Sequence, residues 1–133
     1  MINRKEIFPM QVRENLKRGT VEMILLHLLL ERDMYGYEIL QEMSIRSKGK
    51  FVLKDGSMYP ILYRMIDKEL IKDEQVLVGK RRTRVYYHIT DKGINYLEEI
   101  KKEYFFITEG INNILNSQEE NECKSQTTSG SDT

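Results

Sequence analysis

Hydroxyl, aromatic and cationic side chains share one side of the stretch 55–68 when that stretch is read as a helix. The members of this face that could bind a ligand are Ser57, Tyr59, Tyr63 and Arg64. Hydroxyl groups can donate to phosphate oxygens, and one guanidinium can donate two hydrogen bonds to O6 and N7 of guanine. Asp67 is the only acid on this side. The face therefore favours contact with a polyanion, although either tyrosine could instead be partly buried and Arg64 could form an ion pair with Asp67.

A second group of cations lies further along the chain, within five residues that include no acid. Its members are Lys80, Arg81, Arg82 and Arg84. In a predicted turn, such cations can contact phosphate or the minor groove of DNA, or they can simply be solvated. Tyr37 and Thr20 lie at the starts of two predicted helices, where a hydroxyl can bind phosphate or have a structural role. These six residues complete the predicted DNA-binding set.

The chain offers little for catalysis or for metal binding. Two histidines and one cysteine cannot supply the soft ligands of a zinc site. The sequence contains neither a glycine-rich phosphate loop nor a nucleophile elbow. We therefore predict no catalytic residue, no metal ligand and no cofactor, and we do not expect an enzyme.

Length and composition limit the architecture. A chain of 133 residues fits one domain, and its formal net charge is zero. The longest apolar-rich run has eight residues, too short for a membrane span, and no secretory signal precedes it. A single cysteine excludes an intramolecular disulfide, so a cytoplasmic protein is expected. From Ser117 onward the chain is polar, with four acids and one base, which predicts a disordered tail over 117–133.

The periodicity of apolar residues predicts the elements that hold these side chains. A short N-terminal helix from about Met10 to Lys17 precedes the three helices of the domain, and Thr20 is a plausible cap of the first of these three. The third helix begins near Gly56 or Ser57, because Pro60 cannot donate a backbone hydrogen bond. Its predicted inward residues are Met58, Ile61, Leu62, Met65 and Ile66. An antiparallel hairpin, 72–78 with 85–89, follows, and a long last helix begins at Thr90.

That last helix carries an apolar heptad pattern, which indicates a partner helix. The apolar positions are Leu97, Ile100, Tyr104, Ile107, Ile111 and Ile114. A stripe about 26 Å long is more than a small domain can cover, so a second copy of the chain is expected to bury it. The predicted domains are residues 1–89, with the helices and hairpin, the dimerisation helix 90–116, and the tail.

Three helices, a hairpin and a final helix follow in the order of a winged helix-turn-helix domain with a C-terminal dimerisation helix. The fold class is thus mainly α with a two-stranded β wing. In this order the third helix enters the major groove and the basic turn is the wing tip.

The sequence resembles the PadR family of bacterial transcriptional regulators in several blocks of residues. These are Lys17-Arg18-Gly19-Thr20, Tyr35-Gly36-Tyr37-Glu38-Ile39, Gly56-Ser57-Met58-Tyr59-Pro60 with Tyr63-Arg64-Met65, Lys80-Arg81-Arg82, Tyr86-Tyr87 and Thr90-Asp91-Lys92-Gly93. The resemblance covers about residues 16–93, and the single C-terminal helix is similar to that of the smaller subfamily.

This resemblance implies a homodimeric DNA-binding protein, usually a repressor, that releases a palindromic operator when a small molecule binds. Small members stack flat, drug-like ligands on an aromatic residue midway along the last helix. Tyr104 matches that position, with Phe105 beside it, although such members can have tryptophan there. Tyr104, Phe105 and Phe106 could equally be plain interface core. The alternative function is a winged-helix module that binds another protein and not DNA.

Overall fold

A computed structural model describes the backbone over residues 4–127 and the side chains over residues 11–117. Within these limits the elements are α1 (Arg4–Lys17), α2 (Val21–Glu31), β1 (Met34–Tyr35), α3 (Gly36–Arg46), α4 (Asp55–Asp67), β2 (Ile71–Leu77), β3 (Thr83–Ile89) and α5 (Asp91–Thr127). The predicted class, mainly α with a β wing and a long last helix, is confirmed.

The wing has one strand more than the sequence predicted. The described sheet is antiparallel in the order β1-β3-β2, and β1 adds to β3 by pairing Met34 with Tyr87 and Tyr35 with Tyr86. Two residues are too few for an alternating pattern, which explains why β1 was not predicted. Because β1 leads directly into α3, the strand pair joins the wing to the start of that helix.

The core of the winged domain forms where α2, α3 and α4 pack against the sheet. Ten side chains are less than 2% exposed, namely Leu25, Leu26, Leu29, Met34, Ile39, Met58, Leu62, Met65, Ile71 and Leu97. Burying one such aliphatic side chain stabilises the fold by about 1.5–3 kcal/mol. Of the five residues predicted to face inward from α4, Met58, Leu62 and Met65 are buried, and Ile61 and Ile66 are half-buried.

Helix α4 begins one or two residues earlier than predicted. Its first residue is Asp55, and Lys54 is the extended residue at the N-cap, whose carbonyl accepts from the amides of Ser57 and Met58 at 3.0 Å. Pro60 therefore lies inside the helix and leaves one carbonyl without its usual backbone donor. Helix α1 likewise begins at Arg4, well before the predicted start near Met10.

Helix α5 is anchored where the Thr-Asp-Lys-Gly motif meets the end of α4. The Thr90 hydroxyl donates to the carbonyl of Glu69 at 2.7 Å and accepts from the amide of Gly93 at 3.0 Å, while the Thr90 amide donates to the carbonyl of Leu70 at 3.0 Å. A β-carbon at Gly93 would overlap the Leu70 carbonyl oxygen, so only glycine allows this approach. The Thr-Asp-Lys-Gly motif therefore starts α5 and lets the helix pack closely against the backbone of Leu70.

The backbone of α5 remains helical to Thr127, beyond the predicted start of a disordered tail at 117. Glutamate, glutamine and lysine in this segment are good helix formers, and extending an existing helix needs no new nucleation. Residues 128–133 of the predicted tail lie outside the described residues. The chain divides into two compact units, Met1–Glu98 and Glu99–Thr133.

Candidate nucleic-acid interface

The outward face of α4 presents three of its four predicted contact residues to solvent. Ser57 and Arg64 are exposed, and 56% of Tyr63 is accessible. The alternative ion pair between Arg64 and Asp67 is not formed, and within residues 11–117 the Arg64 guanidinium has no protein acceptor. Its donors are therefore available for two parallel hydrogen bonds to a base edge or a phosphate.

Tyr59 differs from its neighbours because it is half-buried against the start of α3. A β-carbon built at Gly36 would lie 3.1 Å from Cζ of Tyr59 and closer still to the Tyr59 hydroxyl. The rings of Tyr59 and Tyr63 lie 6.3 Å apart, centre to centre. Tyr59 is thus partly buried, as the alternative for the tyrosines allowed, and its ring lies beside the exposed ring of Tyr63.

The wing tip carries three of the four predicted wing cations. The amide of Val78 donates to the Arg82 carbonyl at 2.8 Å and closes a turn around Gly79, Lys80 and Arg81. Lys80, Arg81 and Arg82 are exposed, and none of them forms an ion pair within residues 11–117. An exposed turn of uncompensated cations is suited to phosphate contact.

Arg84, the fourth predicted wing cation, lies in β3 opposite Val76, one residue pair from the turn, and its side chain is directed to β1. Its guanidinium carbon is 4.2 Å from the centre of the Tyr35 ring, and the side chain is half-buried. Tyr86 meets the same Tyr35 ring edge-on at 5.5 Å. Arg84 keeps its charge in this cation–π contact, but its position is set by β1.

Tyr37 extends the same aromatic cluster towards solvent. Its ring stacks on Tyr35 with centres 6.5 Å apart, and 61% of the side chain is exposed. The Tyr37 hydroxyl accepts from Gln41 Nε2 at 3.2 Å, which leaves its own proton free to be donated. The structure therefore leaves Tyr37 accessible to a phosphate.

Of the two roles considered for Thr20, phosphate binding and a structural role, its hydrogen bonding supports the structural role. Its hydroxyl donates to the carbonyl of Lys17 at 2.7 Å and makes no capping hydrogen bond to α2. The predicted side-chain cap is thus wrong, because the hydroxyl turns back to the end of α1. The side chain is half-buried, and only the acceptor capacity of its oxygen remains for another partner.

Two polar networks that hold the interface elements were not predicted. Arg46 binds Glu31 of α2 at 2.5 Å and Glu42 of α3 at 2.9 Å, and these hydrogen bonds raise the pKa of the Arg46 guanidinium. His88 lies between two carboxylates, with Nδ1 2.8 Å from Asp33 Oδ2 and Nε2 3.3 Å from Glu74 Oε2. Each network joins residues of different helices or strands. The spacing of residues along the sequence does not reveal which of these segments meet.

The C-terminal unit exposes most of the predicted dimer seam. Ile107, Ile111 and Ile114 are 55%, 49% and 74% exposed, and Tyr104 is 39% exposed. Ile100 is half-buried. The six predicted seam residues do not form one exposed stripe, because Leu97 is only 1% exposed in the single chain. Leu97 is therefore a core residue of the single chain.

The described residues hold no group of three or more histidine, cysteine or carboxylate side chains placed for a metal ion. None of the helices between residues 4 and 127 is long and apolar enough to cross a membrane.

Known proteins match this arrangement of helices, wing and long final helix. Uncharacterized protein X of Lysinibacillus sphaericus is 40% identical over 100 residues, 75% of this chain and 92% of that protein. A solved transcriptional regulator from Clostridium thermocellum is 33% identical with a TM-score of 0.69, covering 74% of this chain and 95% of that chain. A PadR family transcriptional regulator from Eggerthella lenta is 26% identical with a TM-score of 0.73, covering 84% and 94% respectively. Residues 25–99 match the family model described as the transcriptional regulator PadR-like family. The chain therefore belongs to the PadR-like family of transcriptional regulators.

Proposed function

We propose that this chain is a homodimeric transcriptional repressor that binds a palindromic operator and releases it when a small molecule binds. The observation that carries the proposal is the exposed face of α4 beside a wing tip whose three cations have no acid partner within residues 11–117. The family consists of transcriptional regulators, not enzymes.

In this proposal α4 enters the major groove and the wing contacts the flanking backbone. Arg64 reads a guanine, because its guanidinium is exposed and has no protein acceptor within the described side chains. Ser57 and Tyr63 donate to phosphate or base edges from the same face, and Tyr37 donates to phosphate from the start of α3. Lys80, Arg81 and Arg82 neutralise phosphates and position the domain without reading sequence.

The dimer is supported by the apolar residues that α5 leaves exposed at helical spacing. Ile107, Ile111 and Ile114 recur every three or four residues, so they lie along one side of the helix. An exposed apolar stripe of this kind costs free energy until another apolar surface covers it. A two-fold axis would also set two recognition helices about 34 Å apart, one turn of DNA, on a palindromic site.

The proposed effector is a flat aromatic or drug-like molecule bound at this dimer interface. Tyr104 and Phe105 supply two exposed rings whose centres are 5.3 Å apart, in an edge-on arrangement. Such rings can stack on a planar ligand. Since DNA is the proposed partner, we also propose that the protein acts in the cytoplasm.

The deciding test is a fluorescence anisotropy titration of the full chain with duplex DNA from upstream of its own gene. A scrambled duplex of the same composition is the control, and both are measured over a range of salt concentrations. We expect tighter binding to the upstream duplex. Equal affinity for the two duplexes at every salt concentration would overturn the proposal and leave the protein-binding alternative.

Arg64→Ala tests the assignment of the reading residue in the same assay. We expect the preference for the upstream duplex to fall by about 1–3 kcal/mol for each half-site, because each protomer loses one bidentate contact to guanine. Arg81→Ala is the matched control, since it removes an equal charge from the wing and should weaken both duplexes alike. An unchanged preference in Arg64→Ala would reject Arg64 as the reader.

A further inference from the structure

A cavity of about 410 Å³ lies beside the first turn of α4, on the side of α1. We call it the basic cleft, and the residues that matter in its lining are Arg13, Glu14, Lys17, Lys50, Lys54 and Ser57. They come from α1, from the loop 47–54 and from α4. Ser57 belongs both to this cleft and to the exposed face of α4, so the two surfaces are continuous.

Positive charge dominates the basic cleft. Its lining contains four bases and one acid, Glu14, whose Oε1 pairs with Lys17 Nζ at 2.8 Å. This hydrogen bond with Lys17 lowers the pKa of the Glu14 carboxyl, and the charges of Lys54 and Arg13 lower it further. Arg13, Lys50 and Lys54 have no acid or carbonyl partner for their side chains within residues 11–117. Three cations therefore face the cleft without compensation.

One side of the basic cleft has a defined structure, because Lys17 of α1 contacts the loop 47–54. Lys17 Nζ donates to the carbonyl of Val52 at 2.7 Å and lies 5.7 Å from the centre of the Phe51 ring. The Lys17 side chain is only 11% exposed. Within the loop, the amide of Phe51 donates to Ser47 Oγ at 2.8 Å. Lys50 and Lys54 are thus carried on a segment with a defined path.

The opposite end of α4 has the reverse charge balance. A cavity of about 600 Å³ there is lined by Glu69, Asp73 and Asp91 against Lys72 and Lys92. Of these two cavities, the one at the start of α4 is therefore the more favourable for a polyanion.

We propose that the basic cleft binds phosphates of the DNA strand that borders the major groove occupied by α4. The inference rests on the proposed DNA-binding function and extends its surface from the wing, across α4, to α1. In helix-turn-helix complexes the first residues of the recognition helix contact base edges, so a phosphate strand must run close to that end. Lysine and arginine at the cleft neutralise those phosphates as charges and do not read the sequence.

The test is the salt dependence of duplex binding by the full chain with Lys50→Gln and Lys54→Gln combined. Each lost phosphate contact reduces the slope of log affinity against log salt by about 0.9. The proposed dimer carries each substitution twice, so a reduction of about 1.8 to 3.6 is expected. Arg13→Gln should reduce the slope by up to about 1.8. The affinity ratio between upstream and scrambled duplexes should stay the same, because phosphate contacts carry no sequence information.

Lys72→Gln with Lys92→Gln is the matched control, since it removes two positive charges from the other end of α4. We expect its salt slope to equal that of the unaltered chain, and Lys50→Arg with Lys54→Arg to retain the slope as well. Thermal melting of each variant verifies folding. If Lys50→Gln with Lys54→Gln melts as the unaltered chain does and keeps its salt slope, the cleft proposal is overturned and the proposed function is not. An unaltered chain that prefers no duplex overturns the proposed function, and the cleft proposal with it.

Discussion

The guanidinium of Arg84 lies over the ring of Tyr35, 4.2 Å from its centre, and so joins the wing to the strand that leads into α3. Tyr35 also pairs with Tyr86 through the β1–β3 ladder. This side-chain contact and two residues of strand pairing consequently both join the wing to β1. Because β1 leads directly into α3, these contacts fix the position of the wing relative to the start of α3.

We expect Tyr35→Leu to lower the free energy of unfolding by about 0.5–1 kcal/mol through loss of the cation–π contact, in addition to the lost packing. Tyr35→Phe should retain most of the stability, since the ring is kept. Arg81→Ala, at the exposed wing tip, should change stability by less than about 0.5 kcal/mol. Urea denaturation of the three variants checks this, and equal stability of Tyr35→Leu and Tyr35→Phe would contradict it.

Gly36, the first residue of α3, lies in close contact with Tyr59 and Met58 of α4. We expect Gly36→Ala to destabilise the fold by about 1–3 kcal/mol, because its methyl group would overlap Tyr59 and lie 3.2 Å from Cε of Met58. Tyr59→Phe removes the hydroxyl closest to that methyl group. The double variant should therefore be more stable than the sum of the two single effects, measured by a double-mutant cycle in urea.

The control for this prediction is Gly56→Ala, also within the first turn of a helix. A β-carbon at Gly56 meets no atom within 4 Å, so alanine should stabilise the fold by up to about 1 kcal/mol. Strictly additive effects of Gly36→Ala and Tyr59→Phe would show that the two residues do not compete for the same space.

Periodicity was sufficient to predict the helices, the hairpin and the buried side of α4. Met58, Leu62 and Met65 recur at helical spacing, and β3 has an apolar residue at every second position from Val85 to Ile89, so each pattern depends only on near neighbours. The family resemblance added the identity of the recognition helix, and the match over residues 25–99 confirms that resemblance.

The sequence did not reveal the surroundings of residues whose neighbours come from distant segments. Arg84 looked like a free wing cation, but β1, some fifty residues earlier in the chain, supplies the ring on which it stacks. Leu97 fits a heptad as well as Ile107 does, yet it is buried in the winged unit and Ile107 is not. No local pattern distinguishes such cases, because burial depends on which segments meet after folding.

Tyr87 gives a prediction for alkaline pH. Burial, with smaller contributions from Tyr59, Tyr63 and Asp73, raises the pKa of its phenol to about 12. Since the phenol of an unfolded chain has a pKa of about 10, the neutral form stabilises the fold below pH 10. That contribution, about 2–3 kcal/mol, is lost as the pH rises from about 10 through 12.

Tyr87→Phe should therefore reduce the alkaline loss of stability while leaving the stability near pH 7 little changed. Urea denaturation at several pH values from 7 to 12 measures both chains. Tyr96→Phe, a more exposed tyrosine, is the control and should lose stability with pH as the unaltered chain does. Parallel curves for Tyr87→Phe and the unaltered chain would contradict the prediction.

The exposed side of α5 gives the last prediction, on assembly. We expect Ile107→Asp to convert the proposed dimer into a monomer in sedimentation velocity at micromolar concentration, because a buried carboxylate at the seam would lack a partner. DNA affinity should fall with it, since a monomer contacts only one half-site. Asn113→Asp adds the same charge at an exposed position of the helix outside the seam and should remain dimeric. If Ile107→Asp sediments as a dimer, or the unaltered chain as a monomer, the α5 side is not the dimer interface.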